Sequence, residues 1–259
     1  MFKLIRIFIL LSILAVVSFS SYRARVESVE WKYSLQVNVY PINGDASPAA
    51  EDYIRHLSVD EFKPIEAFMR QAAEQYGKAG SAGVEMRLQP RLLAGPPAPP
   101  EEQSGLQVMW WSLQFRWWAY RQAKLVGPGP QVRLFVQYFD PHKTQTHSST
   151  ALQRGLIGRV NVFASNEMRA KNNFVIAHEL LHTLGATDKY DRSNDMPSFP
   201  DGYGEPHRTP LLPQRYAEIM GGRIVLSESD AVIPSDFKQV IMGTKTAQEI
   251  NFLPKPKSD

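Results

Sequence analysis

His178-Glu179-Leu180-Leu181-His182 constrains this chain more than any other stretch, because its spacing suits a helix that holds a metal ion beside a base. Residues four apart lie on one helix face, so both imidazoles can point at a single ion. Glu179 adjoins the first ligand, where a carboxylate can take a proton from metal-activated water. The flanking residues support a helix. Asn172 and Asn173 are good N-cap residues, and Phe174, Val175 and Ile176 begin an apolar run. Phe174, Ala177, Leu181 and Leu184 fall on one stripe, with His178 and His182 on the next. Gly185 supplies a stop, since glycine tolerates the left-handed conformation that ends many helices. The pattern predicts a helix from about Asn173 to Leu184, then a sharp turn that returns the chain towards the metal.

That turn allows a residue a few positions on to complete a three-ligand zinc site, leaving the fourth position to water. Asp188 is spaced for this role. Asp191 is the alternative, within a polar loop that also carries Lys189, Arg192 and Asp195. A Met-Gly-Gly turn follows at Met220, Gly221 and Gly222.

The run His178-Glu179-x-x-His182-x-x-Gly185-x-x-Asp188, followed by a methionine turn, resembles the metzincin zinc peptidases, in the snapalysin-like variant with aspartate as third ligand. The resemblance spans residues 155–222. It implies one zinc ion per chain, held by His178, His182 and Asp188, with Glu179 as general base and Met220 in the turn beneath the metal. It implies an α+β fold of mixed α/β, zincin-like type: a twisted, mostly parallel sheet packed on helices. It also implies that backbone from Leu156 to Val162, with Leu156, Gly158 and Val160 as substrate-binding positions, pairs with an extended peptide by strand addition. Two positions depart from the commoner pattern. Most metzincins carry histidine where Asp188 stands, and several carry a tyrosine where this chain has Gly222.

Length permits one large domain or two small ones. The absence of cysteine excludes disulfide frameworks, thiolate metal sites and thiol catalysis. A net charge of +3, with scattered basic residues, argues against a nucleic-acid partner. Lys3 and Arg6 precede an apolar stretch from Ile7 to Phe19, so residues 1–22 are expected to be a signal peptide or, by preference, an uncleaved signal anchor crossing a membrane. Either would put the metallopeptidase domain, 23–259, in the cell envelope or outside the cell. Within it, 33–164 reads as a sheet-and-helix part and 165–259 as zinc helix, methionine turn and C-terminal helix.

Alternation at Leu35, Val37 and Val39 predicts a strand over 33–40, ended by the turn chemistry of Pro41-Ile42-Asn43-Gly44. Ser47-Pro48 opens a short helix through Leu57, and Ser58 to Glu61 resembles a capping box for a helix to Gly77. Further strands are expected at 131–139 and 158–164. The run Gly95-Pro96-Pro97-Ala98-Pro99-Pro100 reads as a spacer or surface loop. Trp110, Trp111, Trp117 and Trp118, with Leu113, Phe115 and Tyr120, predict a buried aromatic helix with Arg116, Arg121 and Lys124 on its solvent side. The proline-rich stretch after Asp188 reads as a wall around the site. Tyr190, Tyr203, His147 and His207 are equal candidates for stabilising an oxyanion. A final helix over 235–250 and a disordered tail complete the reading.

Three functions fit: a zinc endopeptidase, a zinc hydrolase of a non-protein amide, or an inactive metal-binding membrane-anchored interaction module. A cleft for an extended peptide favours the first, a closed pocket the second and a blocked site the third.

Overall fold

A computed structural model describes residues 2–78, 80, 83–100, 104–123, 131–143, 149–152 and 156–254. Its centre is a sheet built from β1 (Leu35–Asn43), β2 (Val84–Leu88), β3 (Gln131–Phe139), β4 (Thr150–Leu152) and β5 (Ile157–Phe163), in the order β2-β1-β3-β5-β4. All neighbours are parallel except β4, which runs antiparallel to β5. Parallel strands require helices on both faces, and the strand pattern supplies the two apolar surfaces. Leu35, Val37 and Val39 of β1, Leu134 and Val136 of β3, and Val160 and Val162 of β5 face one core. Tyr40, Ile42, Phe135 and Ile157 face the other.

The larger core is covered by α2 (Pro48–His56), α3 (Lys63–Gln75) and α5 (Arg169–Leu184). Ser47 caps α2 by accepting the Ala50 N–H at 3.1 Å, as its Ser-Pro opening predicts. The Ser58 segment forms a turn of 3-10 helix over Val59–Phe62 before α3 begins, so the expected box is a local Ser58–Asp60 cap. The first strand is longer than predicted. It continues through Pro41 to Asn43 because Ile42 has a buried place on the second face.

That second face is covered by α4 (Gly105–Gln122), the aromatic helix. Its expected burial is half correct. Trp111, Phe115 and Ala119 are buried against Phe135 and Ile157, whereas Leu106, Trp110, Leu113, Trp117 and Tyr120 are exposed. A single helix on a sheet buries only the stripe that meets it. The Trp111 indole donates to the Pro97 carbonyl at 3.0 Å, which ties the proline-rich loop over this helix. Lys124, His147 and residues 255–259 of the tail lie outside the described residues.

The helix α1 (Phe2–Ser28) corrects the membrane expectation. Among the described residues, no helix is long and apolar enough to cross a membrane, which overturns the transmembrane signal anchor. The helix does not end with its apolar stretch near Tyr22. It runs on through Arg23, Arg25 and Glu27, pairs Arg23 with Glu27 at 2.6 Å, and packs Ala24 against the larger core.

The chain end differs too. The serine-capped helix over 235–250 is replaced by a 3-10 turn at Phe237–Gln239, a short strand at Val240–Ile241, and α6 (Thr244–Glu249). Trp31 locks this end to the domain by donating its indole N–H to the Ile250 carbonyl at 2.7 Å.

The helix carrying the histidines starts one turn before the predicted cap. Asn172 and Asn173 lie inside α5, buried, and serve as staples to neighbouring elements. Asn172 accepts the Phe163 N–H at 3.1 Å and donates to the Phe163 carbonyl at 2.7 Å, fixing α5 to the end of β5. Asn173 donates to the Glu61 carbonyl at 2.7 Å. Asn172→Ala would remove the side-chain acceptor of the Phe163 N–H and leave the Phe163 carbonyl with the Ser165 N–H at 3.0 Å, and is expected to cost about 1–3 kcal/mol in urea unfolding. An unchanged unfolding midpoint would contradict this role.

Candidate metal centre

The helix α5 brings His178 and His182 onto one face, with ring centroids 4.7 Å apart, and ends where predicted. Gly185 adopts φ 109°, the left-handed conformation, and the chain turns back over the histidines. Each ring is held by a backbone carbonyl. His178 Nδ1 lies 3.0 Å from the Ile219 carbonyl, and His182 Nδ1 lies 2.8 Å from that of Ala186. A carbonyl only accepts, so both Nδ1 atoms carry the proton and both Nε2 lone pairs face the opposite side.

The returning chain places Asp188 at those lone pairs. Its Oδ1 lies 3.3 Å from His178 Nε2 and 2.9 Å from His182 Nε2. Its Oδ2 accepts a hydrogen bond from Arg192 at 2.8 Å. Asp191 points elsewhere: it is exposed and spends its carboxylate on the Ser193 N–H and hydroxyl. Glu179 is buried on the helix beside His178, and its Oε2 has no hydrogen-bond partner, nor has Asp188 Oδ1.

This donor set fits a metal. Two imidazole lone pairs and a carboxylate oxygen repel one another unless a cation lies among them. With metal–ligand distances near those of zinc, a tetrahedral site puts neighbouring donors about 3.3 Å apart, close to the observed separations. The ligand atoms of His178, Glu179 and His182 also lie within 4.8 Å of one another and could hold a metal ion. Of the two carboxylates, Asp188 is the one whose Oδ1 meets both Nε2 atoms directly. Glu179 is then left beside the site with an unpaired oxygen.

Met220 sits in the turn beneath His178, fully buried, and its carbonyl accepts the Lys189 N–H at 2.9 Å. The turn closes on Gly222, at φ 81°. Two carboxylates, Glu218 buried and Glu249 half-buried, neither singled out by the sequence, brace this region. Glu218 accepts hydrogen bonds from the Met220 N–H (2.6 Å), the Gly221 N–H (2.9 Å), the Gly243 N–H (3.0 Å) and the Thr246 hydroxyl (2.7 Å). Glu249 accepts from Thr187 N–H at 3.0 Å and from Lys189 Nζ at 2.8 Å. The short helix α6 thus holds both the methionine turn and the segment bearing Asp188. Only a signal linking acids to distant backbone N–H groups could have revealed them, and a single sequence carries none.

Of the three oxyanion candidates among the described residues, the structure brings one to the site. Tyr190 sits 6.4 Å from His178 between ring centroids, and burial, reinforced by Asp188, pushes its phenol up to about 12. Tyr203 packs edge-on against Phe199, and His207 is exposed. Cavities flank the donors on both sides. One of about 290 Å³, beside His178 and Glu179, is lined by Phe174, Val175, Tyr190, Gly221 and Arg223; another of about 520 Å³ is lined by His182, Asp188, Tyr190 and Arg192. A larger cleft of about 610 Å³, around Asp52, Glu61 and Asp140, contains none of these donors.

The expected substrate edge is not where β5 lies. Gly158 pairs with Leu134 of β3 on one side and Ala151 of β4 on the other. The Leu156 carbonyl accepts the Arg133 N–H, and Val160 is wholly buried. The strand β4 covers the start of β5, so the sheet edge on this side belongs to β4.

No family model and no curated protein matches this chain. Among solved structures it is similar to wild-type OgpA from Akkermansia muciniphila, at 14% identity, with a TM-score of 0.38. The match covers 83% of this chain and 59% of that one, a likeness too slight to carry an argument about fold or chemistry.

The electrostatics give a pH dependence. Burial resists charge on Asp188, but the His178 and His182 rings in their protonated form, together with Arg192, outweigh it and hold this carboxyl far below the usual range. Burial also resists the His178 cation, yet Asp188, Glu179 and the Ile219 carbonyl raise its value above the ordinary 6.5. Burial pushes Glu179 up, opposed by both rings. A raised imidazole stabilises the metal-free protein below its unfolded value, and that increment is lost as pH rises through the folded value. Metal-free protein is therefore expected to lose stability from about pH 6.5 upward, while stabilisation by added zinc grows over the same window as the proton leaves. Thermal unfolding with and without zinc from about pH 6 to about pH 9 reads this. A zinc-induced shift independent of pH would contradict it.

Proposed function

We propose that this chain is a zinc-dependent endopeptidase of metzincin type, with His178, His182 and Asp188 as ligands and Glu179 as general base. The observation that carries the reading is the convergence of two Nε2 lone pairs on Asp188 Oδ1, at 3.3 and 2.9 Å, beside the unpaired Oε2 of Glu179. A zinc ion there would supply Lewis acidity to a water molecule and to the scissile carbonyl. Glu179 Oε2 takes the proton of the attacking water and returns it to the leaving amide nitrogen. The Tyr190 phenol, which lines both flanking cavities, donates to the oxygen of the tetrahedral centre.

Cavities on both sides of the donors support an extended substrate over a closed small-molecule pocket, since a peptide needs room before and after its scissile bond. The cavity beside His178 has apolar walls at Phe174 and Val175 and suits a bulky apolar side chain. Backbone of β4, the last strand of the sheet on this side, replaces Leu156, Gly158 and Val160 as the place for strand addition.

Glu179→Gln is expected to retain the metal and lose roughly 10²- to 10⁴-fold in turnover. Tyr190→Phe should lower kcat with metal content unchanged. Chelator-sensitive cleavage of a peptide library, measured with metal content on the same samples, tests both. Undiminished cleavage by folded Glu179→Gln protein would remove this mechanism.

A further inference from the structure

The peptide unit joining Ile219 to Met220 is held at both ends by charged or ionisable side chains. Its carbonyl accepts from His178 Nδ1 at 3.0 Å, and its N–H donates to Glu218 Oε2 at 2.6 Å. Glu218 is fully buried, and burial pushes its carboxyl above the usual range, opposed by the Thr246 hydroxyl, the Gly243 N–H, the Lys189 cation and the Gly221 N–H. Three N–H groups, which can only donate, and one hydroxyl surround it, a set that favours the carboxylate form. The same oxygen takes the Gly221 N–H, which fixes the turn on the far side of the peptide. Its other oxygen is anchored in α6 by Gly243 N–H and Thr246 Oγ1. The fit is close: a Cβ at Gly243 would stand 2.9 Å from Glu218 Cγ.

We propose that Glu218 is the positioning residue of the metal centre, acting on His178 through the Ile219–Met220 peptide. Metal-ligating histidines commonly donate their second N–H to a carboxylate or carbonyl, which orients the ring and raises its strength as a donor. Here a carboxylate and a carbonyl act in series. The negative Glu218 polarises the peptide N–H, the carbonyl oxygen becomes a stronger acceptor, and the His178 ring is held with Nε2 towards the site. This role rests on the metal-centre reading above and adds a residue that touches neither metal nor substrate.

The test is Co²⁺ and Zn²⁺ binding by the full chain, in wild type and Glu218→Gln, read as affinity and as the visible absorption of bound Co²⁺. The glutamine keeps the shape and removes the charge. The expected result is folded protein with metal affinity lowered roughly 10- to 100-fold and a shifted Co²⁺ spectrum. A purely structural role would lower stability and leave the spectrum of the loaded site unchanged. Folded Glu218→Gln with wild-type affinity and spectrum would overturn the role of Glu218 alone. Wild type that binds neither ion would overturn the metal centre and this role together. If Glu218→Gln does not fold, Thr246→Val, which removes one donor from the far oxygen, carries the test: weaker affinity with a shifted spectrum supports the proposal, and unchanged values overturn it.

Discussion

Two hydrogen bonds from imidazole Nδ1 atoms to backbone carbonyls determine what this site can be. They direct the His178 and His182 protons at Ile219 and Ala186 and leave both Nε2 lone pairs facing Asp188. Lone pairs so placed require a cation or a proton. The rest of the domain serves to put those two carbonyls in place: Gly185 turns the chain so that Ala186 meets His182, and the methionine turn delivers Ile219 beneath His178.

The carbonyls come from separate parts of the chain, and α6 joins them. Glu218 binds the methionine turn to Gly243 and Thr246, and Glu249 binds Thr187 and Lys189 on either side of Asp188. Both acids act as acceptors for N–H groups that no regular strand or helix would satisfy. Placing charge within the core is costly unless every partner is supplied. Here the partners are supplied, and they are what makes a long irregular loop hold one conformation. The parallel sheet contributes the other boundary, through Asn172, which fastens α5 to the end of β5.

What could be read from sequence follows from how local each signal is. The histidine helix and its glycine stop depend on period and stereochemistry within a single segment, and they stand as predicted apart from one extra turn. The strands at 131–139 and near 158–164 carry their own apolar pattern. The choice between Asp188 and Asp191 was open because it depends on a turn: Asp191 is consumed by Ser193 and Asp188 is not. The edge at Leu156, Gly158 and Val160 was misplaced because β4 has only three residues and no pattern of its own. Asn172 and Asn173 looked like caps because their side chains bond backbone in either role. The exposed half of α4 and the continuation of α1 into the domain depend on what lies opposite them, which composition does not encode.

Zinc K-edge X-ray absorption on the purified full chain tests the three-ligand centre most directly. The account predicts one zinc per chain with two imidazole signatures and oxygen ligands completing the shell, and loss of one imidazole in His178→Ala. No zinc in folded protein supplied with the metal, or zinc bound through ligands unchanged in that variant, would contradict it.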